Sequence, residues 1–184
     1  EIDLRDMYDE INAGDSTLRL SYWNLGEEFS SSEITIEILD ALLPKQELLL
    51  TQWFYCDCLA NYYRCPVWSE EHWRIIESFV KTAKSNGINL LLTPVFTPSL
   101  DTKVGGERLT TQLVGIEKLG DSYSFNFDLL DRWINMCDRI GIEYFEISHF
   151  FTQWGAQHAP KIMATVDGEY KRIFGWETEA TGKD

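Results

Sequence analysis

The stretch YFEISHFFTQWG, at residues 144–155, changes from apolar to polar along its length. It follows Gly141 and begins with the apolar and β-branched residues typical of a strand. Its later part carries the polar and aromatic side chains Glu146, Ser148, His149, Gln153 and Trp154. In folds where strands alternate with helices, ligands bind beyond the carboxyl ends of the strands. The stretch therefore predicts a strand of an α/β fold that ends in a ligand site.

Two strand-and-helix units precede this stretch. The apolar run at residues 47–57 predicts a buried strand, with Cys56 and Cys58 on one side of it. Ser69 then caps an amphipathic helix that Gly87 ends, and residues 88–96 predict the next strand. Asp128 caps the second helix, and Trp73 and Trp133 face the core by their helical spacing. This β-α-β-α-β order predicts an α/β fold. It is either a partial (β/α)8 TIM-type barrel, since a whole barrel needs about 250 residues, or an open three-stranded α/β unit.

The remaining segments predict β-hairpins. Residues 110–117 and 122–127 predict a hairpin inserted after the second barrel strand, and Asp167-Gly168 predicts the turn of another. At the front, residues 16–23 and 34–39 predict two strands separated by a turn or loop at Gly26 and the serines 30–32. We therefore expect residues 1–43 to be the end of an antiparallel β-domain, and residues 44–184 to be the N-terminal part of a (β/α) barrel. A half barrel exposes strand edges, which favours homo-oligomers.

Composition excludes several functions. The chain has 184 residues and a net charge of −14, so a nucleic-acid backbone would be repelled. No apolar run is long enough for a membrane span, and the first residues do not form a signal peptide. A signal removed before residue 1 would leave no trace here. The four cysteines form no C-x-x-C pair, so reduced thiols, a cytoplasmic location and no cofactor are expected.

Several side chains fall where strand ends should meet. The predicted ligand-binding residues are Trp53, Asp57, Asp101, Arg108, Glu146, His149, Gln153 and Trp154. Glu146 should face the barrel interior with Ser148, where a carboxylate could act as a general acid, bind a ligand, or simply hold Arg108. Arg108 could equally pair with an internal acid. Trp53 and Trp154 offer flat rings for stacking, and seven tryptophans are many for this length. His149 and His158 have no metal-ligand spacing with Glu146, so no metal is expected.

Four strings resemble one family when they are taken together. They are QWFYCDCLA at 52–60, LTPVFTPSLDT at 92–102, GERLTTQL at 106–113, and EISH at 146–149 with TQWGA at 152–156. In this order they resemble the bacterial domain of unknown function 4091, which is related to glycoside hydrolase family 123. The resemblance covers residue 44 to the end of the chain, and the front part resembles the family's β-sandwich.

The resemblance implies a carbohydrate substrate and a β-N-acetylhexosaminidase-like retaining enzyme. Such an enzyme uses the 2-acetamido group of its substrate as the nucleophile, while an adjacent Asp-Glu pair orients that group and protonates the leaving oxygen. The chain's one Asp-Glu dipeptide, Asp9-Glu10, lies outside the predicted barrel. We therefore expect the catalytic pair to lie outside this chain, leaving Glu146 as a weak catalytic candidate and the chain inactive alone. The alternative is a non-catalytic carbohydrate-binding or scaffold protein.

Overall fold

The computed structural model describes residues 14–39, 47–100, 102–153 and 155–182. The chain divides into two compact units, Glu1–Gln46 and Glu47–Asp184. The described part of the first unit is a hairpin of β1 (Gly14–Asn24) and β2 (Glu27–Ile38). Leu25 and Gly26 both have positive φ, as the two central residues of a tight hairpin turn require.

The serines at residues 30–32 are paired strand residues rather than the predicted loop. They lie opposite residues 20–22 of β1. The prediction was wrong because the hairpin is exposed at this position, so the apolar alternation on which the sequence argument relied is not needed there.

In the second unit a parallel sheet has the order β3 (Thr51–Gln52), β4 (Leu90–Thr93) and β7 (Tyr144–Ile147). Helices α1 (Cys56–Tyr63) and α2 (Glu70–Ser85) connect β3 to β4, and α3 (Asp128–Ile140) precedes β7. Ser69 caps α2 by accepting a hydrogen bond from the His72 backbone N–H, as predicted. Gly141 ends α3 with φ of 91°. The mixed α/β class is confirmed, and the described residues form no closed barrel.

A second sheet of the same unit has the order β6 (Ser122–Asn126), β5 (Gly115–Leu119), β8 (Ile162–Val166), β9 (Glu169–Phe174). It joins the hairpin of β5 and β6 to the hairpin of β8 and β9. Both hairpins were predicted, although β5 begins at residue 115 rather than 110. The parallel pairing of β5 with β8 was not predicted.

The first predicted strand is much shorter than residues 47–57. Only Thr51 and Gln52 pair with β4, and the chain enters α1 at Cys56. Cys56, Cys58 and Asp57 therefore lie in the first turn of a helix and not on a strand. The expectation that the strand is buried on both faces was also wrong, since β3 is an edge strand and residues 47–52 are exposed.

The core lies between the parallel sheet and helices α2 and α3. Its fully buried members include Ile76, Val80, Leu91, Leu113 and Trp133. Trp73 is 3% exposed and packs edge-on against Trp133, as their helical spacing predicts. No helix among the described residues is long and apolar enough to cross a membrane.

All four cysteines are free thiols. Cys56, Cys65 and Cys137 are buried, whereas Cys58 is exposed. Burial raises the pKa of both Cys56 and Cys137 to about 12. These buried thiols behave as small apolar side chains.

Candidate functional site

The loops after β4 and β7 meet at the carboxyl end of the parallel sheet. The Ser148 backbone N–H donates to the Thr93 carbonyl over 3.0 Å, which extends the pairing of the two strands. Beyond it, the Ser99 hydroxyl donates to the Phe151 carbonyl over 3.2 Å, and the Phe96 and Phe150 rings pack edge-on. These contacts hold the two loops side by side at the carboxyl ends of the strands, which is where α/β folds bind ligands.

Glu146 joins the outer strands of this sheet. Its carboxylate accepts a hydrogen bond from the Thr51 hydroxyl at 2.9 Å and from the Trp53 indole N–H at 3.2 Å. Trp53 is 41% exposed, and its ring meets His149 edge-on with a centroid distance of 5.5 Å. Residues 51, 53, 146 and 149 therefore form one cluster, in which the indole is fixed in orientation and still partly open to solvent.

An open cleft of about 500 Å³ adjoins this cluster. It is lined by Leu100, Ile147, Ser148, His149, Phe150, Phe151, Thr152, Gln153 and Ala156. We refer to it as the strand-end cleft. Its volume lies within the range of small-molecule sites, about 300–1,000 Å³.

Two buried polar atoms of the strand-end cleft have no hydrogen-bond partner. They are the Thr152 hydroxyl, in a residue that is 3% exposed, and Nδ1 of His149. Buried polar atoms in native proteins are nearly always paired, so these two atoms should be satisfied by a water molecule or by a bound group. Both atoms lie in the stretch after β7 that the sequence singled out.

Asp57 and Arg108 pair with each other. The guanidinium donates to both carboxylate oxygens, at 3.0 and 3.1 Å, and lies 4.1 Å from the centroid of the Tyr55 ring. Both side chains are largely buried, 5% exposed for Asp57 and 13% for Arg108. Burial acts to lower the pKa of Arg108, but the hydrogen bonds and charge of Asp57 outweigh it and raise that pKa. Arg108 thus pairs with an internal acid, which was one of the two partners considered for it. Asp57 lies in α1 and not, as had been predicted, at a strand end.

The other predicted site residues divide into two groups. Gln153 lines the strand-end cleft, and its amide donates to the Thr102 carbonyl over 2.8 Å. Asp101 and Trp154 lie outside the described residues. Sequence reasoning missed Thr51 and Thr152 as site residues. Thr152 is next to Gln153 and Thr51 is two positions before Trp53, and this nearness to predicted site residues is the one signal that could have found them.

Among the residues that the structure describes, no three His, Cys, Asp or Glu side chains are close enough to share a metal ion. Glu146 and His149 are potential metal ligands beside the strand-end cleft, but both contact Trp53. Glu146 accepts a hydrogen bond from the indole N–H, and the His149 ring packs against the indole.

Comparisons with known proteins place the chain in a family. The model of the glycoside hydrolase 123 catalytic domain matches residues 53–183, more than half of the chain. Among solved structures, a family 123 glycoside hydrolase from Clostridium perfringens, described in terms of glycolipid glycan hydrolysis, superposes with a TM-score of 0.62 at 13% identity. The match covers 90% of this chain and 30% of that one, so the chain spans about a third of its structural neighbour. No curated protein matches. The match across residues 53–183 shows that the chain belongs to the glycoside hydrolase 123 catalytic-domain family.

Proposed function

We propose that this chain is part of a glycoside hydrolase and forms the substrate-binding wall of its active site. The observation that carries the proposal is the cluster of Trp53, Glu146 and His149 at the strand ends of a family 123 chain. A partly exposed indole presents a flat apolar face to the C–H face of a sugar, while carboxylate and imidazole groups bind its hydroxyls.

The finer substrate proposal is a β-linked N-acetylhexosamine. The Thr152 hydroxyl and His149 Nδ1 have no hydrogen-bond partner within the protein, and both residues line the strand-end cleft. An acetamido group has one N–H donor and one carbonyl acceptor, so it can satisfy two such atoms at once. In a retaining, substrate-assisted reaction this acetamido oxygen attacks the anomeric carbon as the glycosidic bond breaks, and an acid protonates the leaving oxygen.

We infer that the Asp-Glu pair for this chemistry is supplied by residues outside 1–184. The chain's one Asp-Glu dipeptide is Asp9-Glu10, in the first unit, and the chain spans 30% of its structural neighbour. The parallel order β3-β4-β7 is then the first part of a (β/α)8 barrel, continued by further strands. In this proposal Glu146 binds substrate and is not the catalytic acid. The hydrogen bonds that its carboxylate accepts from Thr51 and Trp53 hold it in position for that role.

The test is an assay of the full-length protein on 4-nitrophenyl N-acetyl-β-glucosaminide and -galactosaminide. We expect turnover that Trp53→Ala reduces mainly by raising KM, because the indole binds substrate before and during reaction. Trp176→Phe is the matched control, since Trp176 donates to the Gly106 carbonyl and does not line the strand-end cleft. Binding of N-acetylhexosamines in calorimetry without turnover would support a binding or scaffold protein instead. If the protein neither hydrolysed these substrates nor bound N-acetylhexosamines, the carbohydrate assignment would be refuted.

A further inference from the structure

The second unit contains a larger cleft that the strand-end site does not use. It has a volume of about 930 Å³ and lies between the turn joining α1 to α2 and the four-stranded sheet. Its lining includes Val67, Trp68, Leu129 and several residues of the sheet, and it shares none with the strand-end cleft. We refer to it as the sheet cleft. Its volume is at the upper end of what ligand sites occupy, about 300–1,000 Å³.

One wall of the sheet cleft is a row of polar residues that crosses all four strands. Glu117 of β5 is paired with Ser124 of β6 on one side and with Thr165 of β8 on the other. Thr165 is in turn paired with Tyr170 of β9. Directly paired residues point to the same face of a sheet, so two hydroxyls, a carboxylate and a phenol form one continuous line. All four line the cleft.

The opposite wall presents an indole ring held in one orientation. Trp68 donates through its ring N–H to the Gln112 carbonyl at 3.3 Å and through its backbone N–H to Nδ1 of His72 at 3.1 Å. The ring also packs against Trp73 with a centroid distance of 5.1 Å. Its backbone has φ of 60°, a left-handed conformation that a bulky residue adopts only with support from its surroundings. This combination holds the Trp68 ring in one orientation among the residues that line the cleft.

We propose that the sheet cleft is a second carbohydrate site, which binds a neutral oligosaccharide by stacking on Trp68 and by hydrogen bonds to the row Ser124–Glu117–Thr165–Tyr170. A flat ring opposite a line of hydroxyl and carboxylate groups suits a pyranose, which has apolar C–H faces and a polar edge.

Charge selects among glycans. Glu117 is the one ionic side chain lining the sheet cleft, and the whole chain carries a net charge of −14. A sulfated or sialylated sugar would meet a carboxylate with no cation among the lining residues, so it should be disfavoured. The proposal shares only the ligand class with the proposed function, and needs no reaction at the strand ends.

The experiment applies the labelled full-length protein to a printed array of neutral hexose and N-acetylhexosamine oligosaccharides, with sialylated and sulfated counterparts. Tyr170→Ala and Glu117→Ala are compared with Tyr123→Ala. Tyr123 is also an exposed strand tyrosine of this sheet, but it is paired with Lys118 and so faces the other side from Glu117. All three positions are exposed, so the fold should survive, and circular dichroism checks this.

We expect neutral glycans to bind, with affinity reduced about tenfold or more by Tyr170→Ala and by Glu117→Ala, and unchanged by Tyr123→Ala. If Trp53→Ala abolishes glycan binding and Tyr170→Ala does not affect it, the glycan binds at the strand-end cleft alone. That result would overturn the second site and leave the proposed function standing. A preference for sulfated glycans, or no array signal from a protein that still hydrolyses its substrate, would also overturn the second site. Array binding that depends on Tyr170, in a protein without hydrolase activity, would support the second site and contradict the proposed function.

Discussion

Arg108 and Asp57 illustrate how one residue pair can join distant parts of the chain. They are separated by 51 positions, and their forked ion pair attaches the long loop after β4 to the first turn of α1. The same guanidinium reaches the Leu100 carbonyl at 3.5 Å, within that loop. Both charges are largely buried, so removing either one would leave the other buried without a counter-charge. The pair therefore stabilises the attachment of the loop to α1.

Removing one member of this pair should be strongly destabilising. We expect Arg108→Ala to lower the free energy of unfolding by about 3–5 kcal/mol, because Asp57 would remain buried without its partner. Arg108→Lys should recover only part of this loss, since an ammonium cannot form the two-pronged contact. Urea denaturation followed by circular dichroism measures both. Arg132→Ala, which breaks a forked pair with Glu70 on the surface, should be much milder, and equal losses in the two variants would contradict this account.

Glu146 is expected to contribute to ligand binding more than to folding. Glu146→Gln keeps an oxygen acceptor for Thr51 and Trp53 but removes the charge. We expect about tenfold weaker binding of N-acetylhexosamines by the full-length protein, measured by calorimetry, with little change in melting temperature. Glu143→Gln is the control, because Glu143 faces Lys84 at 3.7 Å and not the cleft. A similar loss of affinity in both variants would argue against a ligand-binding role for Glu146.

At the scale of elements, His72 connects α2 to α1. Its Nδ1 accepts from the Trp68 backbone N–H, so Nε2 carries the proton and donates to the Cys56 carbonyl at 2.9 Å. The side chain is fully buried. Burial lowers the pKa of His72, although the Cys56 carbonyl and the charge of Asp57 oppose that shift. The helix pair is therefore assembled around a neutral imidazole.

This arrangement predicts a dependence of stability on pH. In the unfolded chain His72 titrates near its ordinary pKa of about 6.5, above its folded value. Between the two values the unfolded chain takes up the proton, so the stability present above about pH 6.5 is lost as the pH falls below it. Denaturant melts of wild type and His72→Gln across this range should show a shallower pH slope for the variant. Identical slopes would assign the acid sensitivity to other groups.

The same elements show what sequence patterns can and cannot predict. α2 and α3 were predictable because Ser69, Gly141 and the spacing of Trp73 and Trp133 are local signals. The end of β3 was not, because an apolar run does not say where pairing stops and a helix begins. Nor could Glu146 be matched to Thr51 and Trp53, or Arg108 to Asp57, since partners 51 to 95 positions apart depend on the fold as a whole.

At the scale of the whole molecule, the parallel sheet ends in open edges. Leu48, Leu49 and Leu50 are 69%, 54% and 37% exposed beside β3, which pairs on one side only within the described residues. Exposed apolar residues at an unpaired strand edge promote association with another chain.

We therefore expect residues 1–184 on their own to self-associate with increasing concentration in sedimentation velocity. Leu49→Lys should weaken this association, because it places a charge beside the open edge. Leu25→Lys, at a leucine that is 99% exposed in the hairpin turn of the first unit, should not. A monomer at every concentration would contradict this prediction.

Cys58 can be chemically modified without the other three cysteines, because it is exposed and they are buried. A maleimide dye applied at neutral pH should modify one position, because the other thiols are buried and thiolate formation at Cys56 and Cys137 is further suppressed. The Cys58 sulfur lies 3.1 Å from a nitrogen of Arg108. A fluorophore at Cys58 would therefore report, by intensity or quenching, on each release and return of the loop that Arg108 anchors.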